Sequence, residues 1–420
     1  MTAFGFVWII ILFLTLVKNN LQLLVTLVII STTLQSSNVF VVGGQGVGPQ
    51  IITSIVFIFY ILFSRGQSLK FNISKSIITS ERILILFIIY IVFNSIHSGT
   101  LVENFLKILQ ILTYALCFLA MESAGKVLDD EFVFKTIRKV SYFVLIVGIV
   151  QVMATTNLIP RYGFIRDLFW NDSVNNPEVV QFMWPHGSYF RFFSTYMEPS
   201  YFVGFSIGAI FYFFNYKERL NETRLLVLGL LLATIISFSS TGYGALFITA
   251  VMYIAFSKEG NNKIFLLVGS VITFFIFYFS FYNILDSVIF SKMESGSAAA
   301  RRTWNLVALQ TFNTSPIAGI GYKNCRASSL LYTILAELGI IGLIIYFIFI
   351  LSIIYPIFSK KMQSIIGSEQ VGIIFALFGV IVSQMIAVPD FDICTFWMWM
   401  NFLGLIKGRN EVKSLNGEKG

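Results

Sequence analysis

The chain has 420 residues, of which 56% are hydrophobic and only 12% charged, and its mean hydropathy is +0.81. That composition cannot cover a globule with polar surface, so a water-soluble domain is excluded and lipid is the solvent for much of the chain. The net charge of +8 does not point to nucleic acid, because the basic residues are scattered between apolar runs rather than banded in one patch.

Open sheets do not survive in lipid, so the apolar runs are read as helices of an all-α polytopic membrane protein. In chain order the expected spans are 3–17, 21–42, 50–64, 80–96, 104–121, 139–158, 200–215, 224–240, 242–256, 263–281, 328–355, 371–388 and 391–406. With a requirement of about 20 residues per crossing, this gives about thirteen crossings, or twelve if the short first run lies at the interface. No basic region precedes that first run and no cleavage site follows it, so it is read as a retained span. Residues 1–406 are expected to form a single transmembrane domain, and 407–420 a flexible cytoplasmic tail. Cys117, Cys325 and Cys394 are odd in number and lack metal-ligand spacing, which indicates neither a disulfide framework nor a metal site.

Lysine and arginine set the orientation. Alternate connections carry Lys18; Arg65 to Arg82; Lys126 to Lys139; Lys217 to Arg224; Lys258 and Lys263; Lys360 and Lys361; and Lys407 to Lys419. These are assigned to the cytoplasm, together with the carboxyl tail. Lys107 lies just inside the fifth span, where a helical pair with Glu103 explains it. The remaining connections include two long outer loops, roughly 159–199 and 282–327, rich in Trp, Tyr, Phe and Pro. Their aromatic residues suit either interfacial anchoring or sugar stacking.

Three constellations could carry chemistry. Arg191 precedes Glu198-Pro199-Ser200, where the seventh span opens; proline suits a first helical turn, which puts Glu198 at a helix amino terminus. Glu198 could simply complement the helix dipole, or act as a general base while Arg191 holds an anion. His186 is the other candidate base. In the second loop, Arg301 and Arg302 precede a stretch from Trp304 to Phe312 with helical spacing. They either snorkel to headgroups or bind phosphate. Lastly, Arg326, Ser329 or Leu330, Thr333 and Glu337 fall on one face of the eleventh span, with Glu337 about three turns into the bilayer, facing the bundle. Asp390 and Asp392 read as solvated turn residues. Gly43-Gly44-Gln45-Gly46-Val47-Gly48-Pro49 lacks the lysine and setting of a phosphate loop and reads as a turn. The Asn-x-Ser/Thr matches at Asn72, Asn171, Asn221 and Asn313 are given no role.

The ordered segments Arg191…Glu198-Pro199-Ser200, Ser237-Phe238-Ser239-Ser240-Thr241-Gly242, Pro316…Gly319-Ile320-Gly321 and Ala336-Glu337-Leu338-Gly339…Gly342 resemble the bacterial O-antigen polymerase and O-antigen ligase superfamily. They cover roughly residues 190–345; the amino-terminal half matches only in hydropathy. The resemblance implies a helical membrane fold related to the class C glycosyltransferases and a saccharide donor on undecaprenyl pyrophosphate. It further implies no metal or other cofactor, and a location in the bacterial inner membrane. A chain-length regulator and a flippase are partners implied by the same family pattern; nucleic acid is not. Arginines of the outer loops would engage the pyrophosphate, here Arg191 and Arg301 or Arg302, with Tyr322, Lys323, Arg326 and Glu337 as further substrate-binding residues.

Two departures bear on the branch. Where ligases of the superfamily carry a His-Asn-type pair before the helix glutamate, this chain has Arg326-Ala327-Ser328-Ser329, which favours the polymerase branch. Many members place an arginine after the Ser-x-Ser turn, whereas this chain has Ser240-Thr241; that phosphate contact is either missing or falls to Lys323 or Arg326. The expected activity is polymerisation of lipid-linked repeat units. An O-antigen ligase or other lipid-linked-saccharide transferase is the alternative within the class, and a precursor flippase or transporter the alternative outside it. Transporters favour broken helices and midplane charges, and this sequence has few midplane charges beyond Glu337.

Overall fold

The computed structural model describes residues 1–42, 45–64, 79–156, 158–159, 168–171, 191–216, 219–256 and 296–415. The chain is mostly helical, and among these residues a helix falls on every expected span. They are α1 (Ala3–Val17), α2 (Leu21–Thr33), α3 (Pro49–Ser64), α4 (Ser80–His97), α5 (Phe105–Gly125), α6 (Phe132–Thr155), α7 (Pro199–Asn215), α8 (Leu220–Ile236), α9 (Ser240–Phe256), α10 (Gly296–Thr314), α11 (Leu330–Ile354), α12 (Lys360–Ala387) and α13 (Cys394–Leu415). Five of the apolar stretches, over α4, α5, α6, α11 with the 3-10 turn that follows it, and α12, are long and apolar enough to cross a membrane. The chain is therefore a membrane protein. The span expected at 263–281 lies outside the described residues.

Local chemistry sets many of the boundaries. Thr2 and Asn20 cap α1 and α2 by accepting from the Gly5 and Leu23 amides, both at 2.9 Å. Pro199 opens α7 behind Glu198 as N-cap. The expected span 21–42 is too long: α2 stops at Thr33, and Phe40–Val42 pairs antiparallel with Gln45–Val47, Phe40 opposite Val47. Ser31, Thr32 and Thr33 turn their hydroxyls back onto Val28, Ile29 and Ile30 carbonyls, which loosens the final turn. The glycine-rich segment read as a turn thus contributes a strand; Gly43 and Gly44 lie outside the described residues.

The chain divides into two compact units: Met1–Lys75, Gln110–Ser239 and Asp392–Gly420 form the first, and Ser76–Leu109 with Ser240–Phe391 the second. In the first, α13 approaches α5 through glycines. A side chain at Gly125 would strike the Leu405 carbonyl, one at Gly408 the Glu122 carbonyl, and one at Gly404 the Phe118 carbonyl. Small residues four apart let helix backbones meet this closely. Lys126 pairs with Glu411 at 2.8 Å, Lys413 with Asp130 at 2.7 Å, Arg138 with Glu222 at 3.0 Å, and Arg219 with Glu131. Three of the basic clusters placed on one side by the charge pattern therefore meet at one end of this unit. The same contacts correct the tail: it is helical to Leu415, because Gly408 locks it to α5 and Arg409 and Lys413 bind Asp130.

In the second unit α11 is not continuous. Gly339 adopts φ 65° and ψ −166°, which breaks the helix. The amides of Ile340 and Ile341, whose helical acceptors would be Ala336 and Glu337, donate instead to Pro316 and Ile317 carbonyls at 3.0 and 3.3 Å. The abandoned carbonyls of Ala336 and Glu337 accept from Ile320 and Gly321 at 3.0 and 2.9 Å. Segment 316–321 thus fills the break and repairs both sides of it, as buried backbone requires. From α4, Tyr90 donates to the Leu338 carbonyl at 2.8 Å and Asn94 to that of Ala318.

Candidate functional site

In the first unit, the segment from Arg191 to Glu198 is buried along most of its length. Gln151 of α6, fully buried, holds it: its side-chain oxygen accepts from the Phe193 and Ser194 amides at 3.2 and 3.4 Å, and its nitrogen donates to the Arg191 carbonyl at 2.9 Å. Trp170 donates to the Ser194 carbonyl at 2.8 Å, and Thr195 to that of Thr33 at 2.6 Å. Phe192 lies flush against Gly148, where any Cβ would collide with its ring.

This framework presents Arg191 at the end of α8. Its Nε donates to the Ser237 carbonyl at 3.2 Å and an Nη to that of Phe238 at 3.4 Å. A cation at a helix carboxyl end is favoured by the dipole and satisfies carbonyls left over by the helix. Part of the guanidinium fork therefore serves as a clamp between the two sequence segments. Glu198, half-buried, accepts from the Ser200 hydroxyl at 3.1 Å. His186 lies outside the described residues.

The second unit holds the other constellation. The helix expected from Trp304 to Phe312 is longer, spanning Gly296–Thr314. Arg301, Asn305, Ala308 and Phe312 share its inner face, where Ala308 packs with Ala327 and Ala336, whereas Arg302 is exposed beside Trp304 and Leu306. This separates the two arginines: Arg301 faces the unit, and Arg302 faces outward. The Asn305 side chain accepts from the Ser328 amide at 2.9 Å and so fixes the approach to α11.

Glu337 is 3% exposed, about two turns from the start of α11 rather than three. Burial raises the thiol pKa of Cys325 in the loop that precedes α11. Thr333 and Glu337 do share a buried face behind the N-cap Ser329; Arg326 stands outside the helix, its guanidinium 5.9 Å from the Trp304 ring. Tyr322 is buried.

The reading of Asp390 and Asp392 as solvated turn residues is corrected. Asp390 accepts from Lys323 at 2.7 Å in a half-buried ion pair, and Asp392 is 8% exposed. The partner that removes Asp390 from solvent is far away in sequence. Glu103 sits in an exposed turn before α5, so it and Lys107 do not share the helix that the expected pair required. Burial pushes the Asp390 carboxyl up, but Lys323, Arg326 and Lys107 together hold it below the ordinary aspartate value of 3.8. Because the folded value is the lower one, the contribution to stability is present above about pH 4 and lost as pH falls through the folded value. Thermal unfolding in detergent should show the parent protein losing more stability below about pH 4 than an Asp390→Asn variant; superimposable pH profiles would refute this.

The polar surround of this cluster is tightly built. Asn104 donates to Asn324 at 2.9 Å, and Asn324 to the Ile320 carbonyl at 2.9 Å. Gly321, at φ 103°, leaves no room for a side chain between Ser98, Thr100 and Asn324. Gln151, Asn104, Lys107, Asn324 and Asp390 were not found as site residues from the sequence. Only the placement of Lys107 at a helix start offered any signal. Among the described residues no group of His, Cys, Asp and Glu could hold a metal.

No protein-family model matches the chain, and no curated protein matches it.

Proposed function

We propose that the chain is a membrane glycosyltransferase that polymerises undecaprenyl-pyrophosphate-linked oligosaccharide repeat units into O-antigen or capsule-type polysaccharide. In this reading it crosses the bacterial inner membrane about twelve or thirteen times in a class C glycosyltransferase-like fold. Its carboxyl end is cytoplasmic, and its chemistry takes place on the periplasmic face. One observation carries the reading. The segments that resemble the O-antigen polymerases, far apart in sequence, join in pairs: Arg191 bonds to Ser237 and Phe238, and Pro316–Gly321 interlocks with Ala336–Ile341.

The pyrophosphate is the leaving group. The acceptor hydroxyl oxygen attacks the anomeric carbon of the donor, the bond from that carbon to pyrophosphate breaks, and the hydroxyl proton passes to a base. Glu198 is assigned as that base, with His186 as the other candidate. Arg191 of the first unit is assigned to stabilise the charge that builds on the departing pyrophosphate, and in the second unit Arg301, Lys323 and Arg326 are the candidates for that role. Tyr322, Glu337 and the exposed Arg302 complete the proposed substrate contacts. The lipid tails reside in the bilayer, and no cofactor takes part.

The break at Gly339 is a trait shared with transporters and favours the flippase as a second reading. Here, however, the displaced carbonyls of Ala336 and Glu337 are taken by the chain's own amides rather than turned towards a cargo. Purified protein given a lipid-linked repeat unit, without nucleotide and with chelator, is expected to produce a ladder of longer lipid-linked saccharides. Transfer to added lipid A core in place of a ladder would make it a ligase. Movement of labelled substrate across proteoliposomes with no product would favour the flippase. In the same assay, Arg191→Ala is expected to slow turnover about 100-fold. Unchanged turnover would count heavily against the assignment of Arg191.

A further inference from the structure

Beyond its break, α11 carries an apolar stripe along one side of the second unit. Ile340, Ile344, Phe347, Leu351, Tyr355 and Phe358 are exposed and fall three or four residues apart, as one helix face requires. The stripe is about 27 Å long, close to the roughly 30 Å of a bilayer's hydrocarbon. Unkinked, the 28 residues of α12 would measure about 42 Å. The kink at Gly367 leaves residues 368–387, about 30 Å, for the crossing and turns the first seven residues aside. Ser359 to Gly367 therefore lie where the hydrocarbon ends. Ser359 caps this piece by accepting from the Met362 amide at 3.3 Å. The buried Gln363 donates to the Ile357 and Phe256 carbonyls at 2.6 and 2.9 Å, and the rings of Phe256 and Phe358 meet edge to face at 4.9 Å. The side chains left outside are Lys360, Lys361 and Ile365, all exposed, next to Tyr355 and Phe358 at the foot of the stripe. Among the described residues neither lysine pairs with a carboxylate.

We propose that Lys360 and Lys361, with Tyr355, Phe358 and Ile365, form a binding site for an anionic phospholipid at the link between α11 and α12. The lysines hold the headgroup phosphate, and the exposed rings and Ile365 lie against the upper methylenes of the acyl chains. The occupant is a lipid because the cations and the apolar stripe are contiguous; a soluble anion would use the lysines alone. Gln363 and Ser359 fix the link in place before any lipid arrives, which lowers the cost of ordering it. The site is independent of the polymerase reading and needs only that α11 and α12 cross a bilayer. The leaflet is the one to which the charge pattern assigns Lys360 and Lys361, the cytoplasmic one.

Native mass spectrometry of the full-length protein in uncharged detergent counts the lipid retained as phosphatidylglycerol, or separately phosphatidylcholine, is titrated in. Phosphatidylglycerol is expected to bind about twentyfold more tightly, and Lys360→Gln/Lys361→Gln to remove that preference. Lys18→Gln/Lys139→Gln takes the same charge from two exposed lysines of the first unit and is expected to leave the preference in place. Equal losses in the two double variants would reduce the effect to diffuse attraction and overturn the proposal. Equal binding of the two lipids by the parent protein overturns it too. Inorganic phosphate added as a competitor is expected to displace no lipid; displacement would assign the lysines to a soluble anion and sink the lipid site. Should Lys360→Gln/Lys361→Gln not accumulate, the single variants decide, each with an expected loss of about fivefold; unchanged binding in both is again fatal to the proposal.

Discussion

Replacing Gly339 with alanine is expected to destabilise the second unit by more than about 4 kcal/mol, enough to prevent accumulation of folded protein. Two costs combine. A φ of 65° with ψ near 180° belongs to a region used almost only by glycine, and holding another residue there costs about 1–3 kcal/mol. The added methyl group would also collide with the Ile317 carbonyl and crowd the Ala318 amide nitrogen. Those are backbone atoms, and Ile317 accepts one of the four hydrogen bonds that repair the break. Moving the segment away strands buried backbone groups at about 1–3 kcal/mol each. Gly367 of α12 provides the control. It has nearly the same conformation, φ 78° and ψ 161°, but an added methyl group there meets nothing. Gly367→Ala should therefore cost only the backbone term, about 1–3 kcal/mol. Thermal unfolding of both variants in detergent measures the contrast; equal losses would mean that the interlock contributes nothing.

Gln151→Leu is expected to cost about 3–5 kcal/mol and to release the segment that carries Arg191. The two side chains have similar volume, so the change tests polarity rather than packing. It strands the Phe193 and Ser194 amides and the Arg191 carbonyl inside the unit. The gap between alanine and leucine at this site is informative. If desolvated backbone dominates, both substitutions fall together; if filling the space dominates, leucine is much the milder. Limited proteolysis near residue 191, read beside the melting temperature, reports whether the segment comes loose. A leucine variant that melts with the parent and resists protease would sink the claim.

The helices were legible in the sequence because lipid imposes a hydropathy signal on every crossing. Pro199 marked the start of α7 within one residue of the expected span, and three of the basic clusters assigned to one side meet at one end of the first unit, where Lys126 pairs with Glu411, Lys413 with Asp130, Arg138 with Glu222 and Arg219 with Glu131. What hydropathy cannot register is a change of direction within an apolar run. From Leu330 to Ile354 the pattern is uniformly that of a helix, and the cause of the break lies in another segment, 316–321. The same holds for Asp390. A short acidic turn beside proline looks solvated until Lys323 is brought to it across 67 positions. The tail was misjudged for a related reason, since its polar residues have partners on α5 and before α6 that no local window contains. Of the site, the sequence marked the charged residues but not their geometry: Arg301 and Arg302 are adjacent in the chain, yet Arg301 is half-buried and Arg302 exposed on α10.

The interlocked break in α11 also sets an order of events during biosynthesis. Freed carbonyls at Ala336 and Glu337 would each cost several kcal/mol in hydrocarbon without partners. The stretch is therefore expected to enter the bilayer as an unbroken rod, its amides paired within itself. Only when Pro316–Gly321 arrives alongside can the rod snap at Gly339 and exchange two internal bonds for four external ones. The bend is thus a late event, and a newly inserted chain that has not made it is an immature one, distinguishable from the finished protein by the exchange of those few backbone amides with solvent.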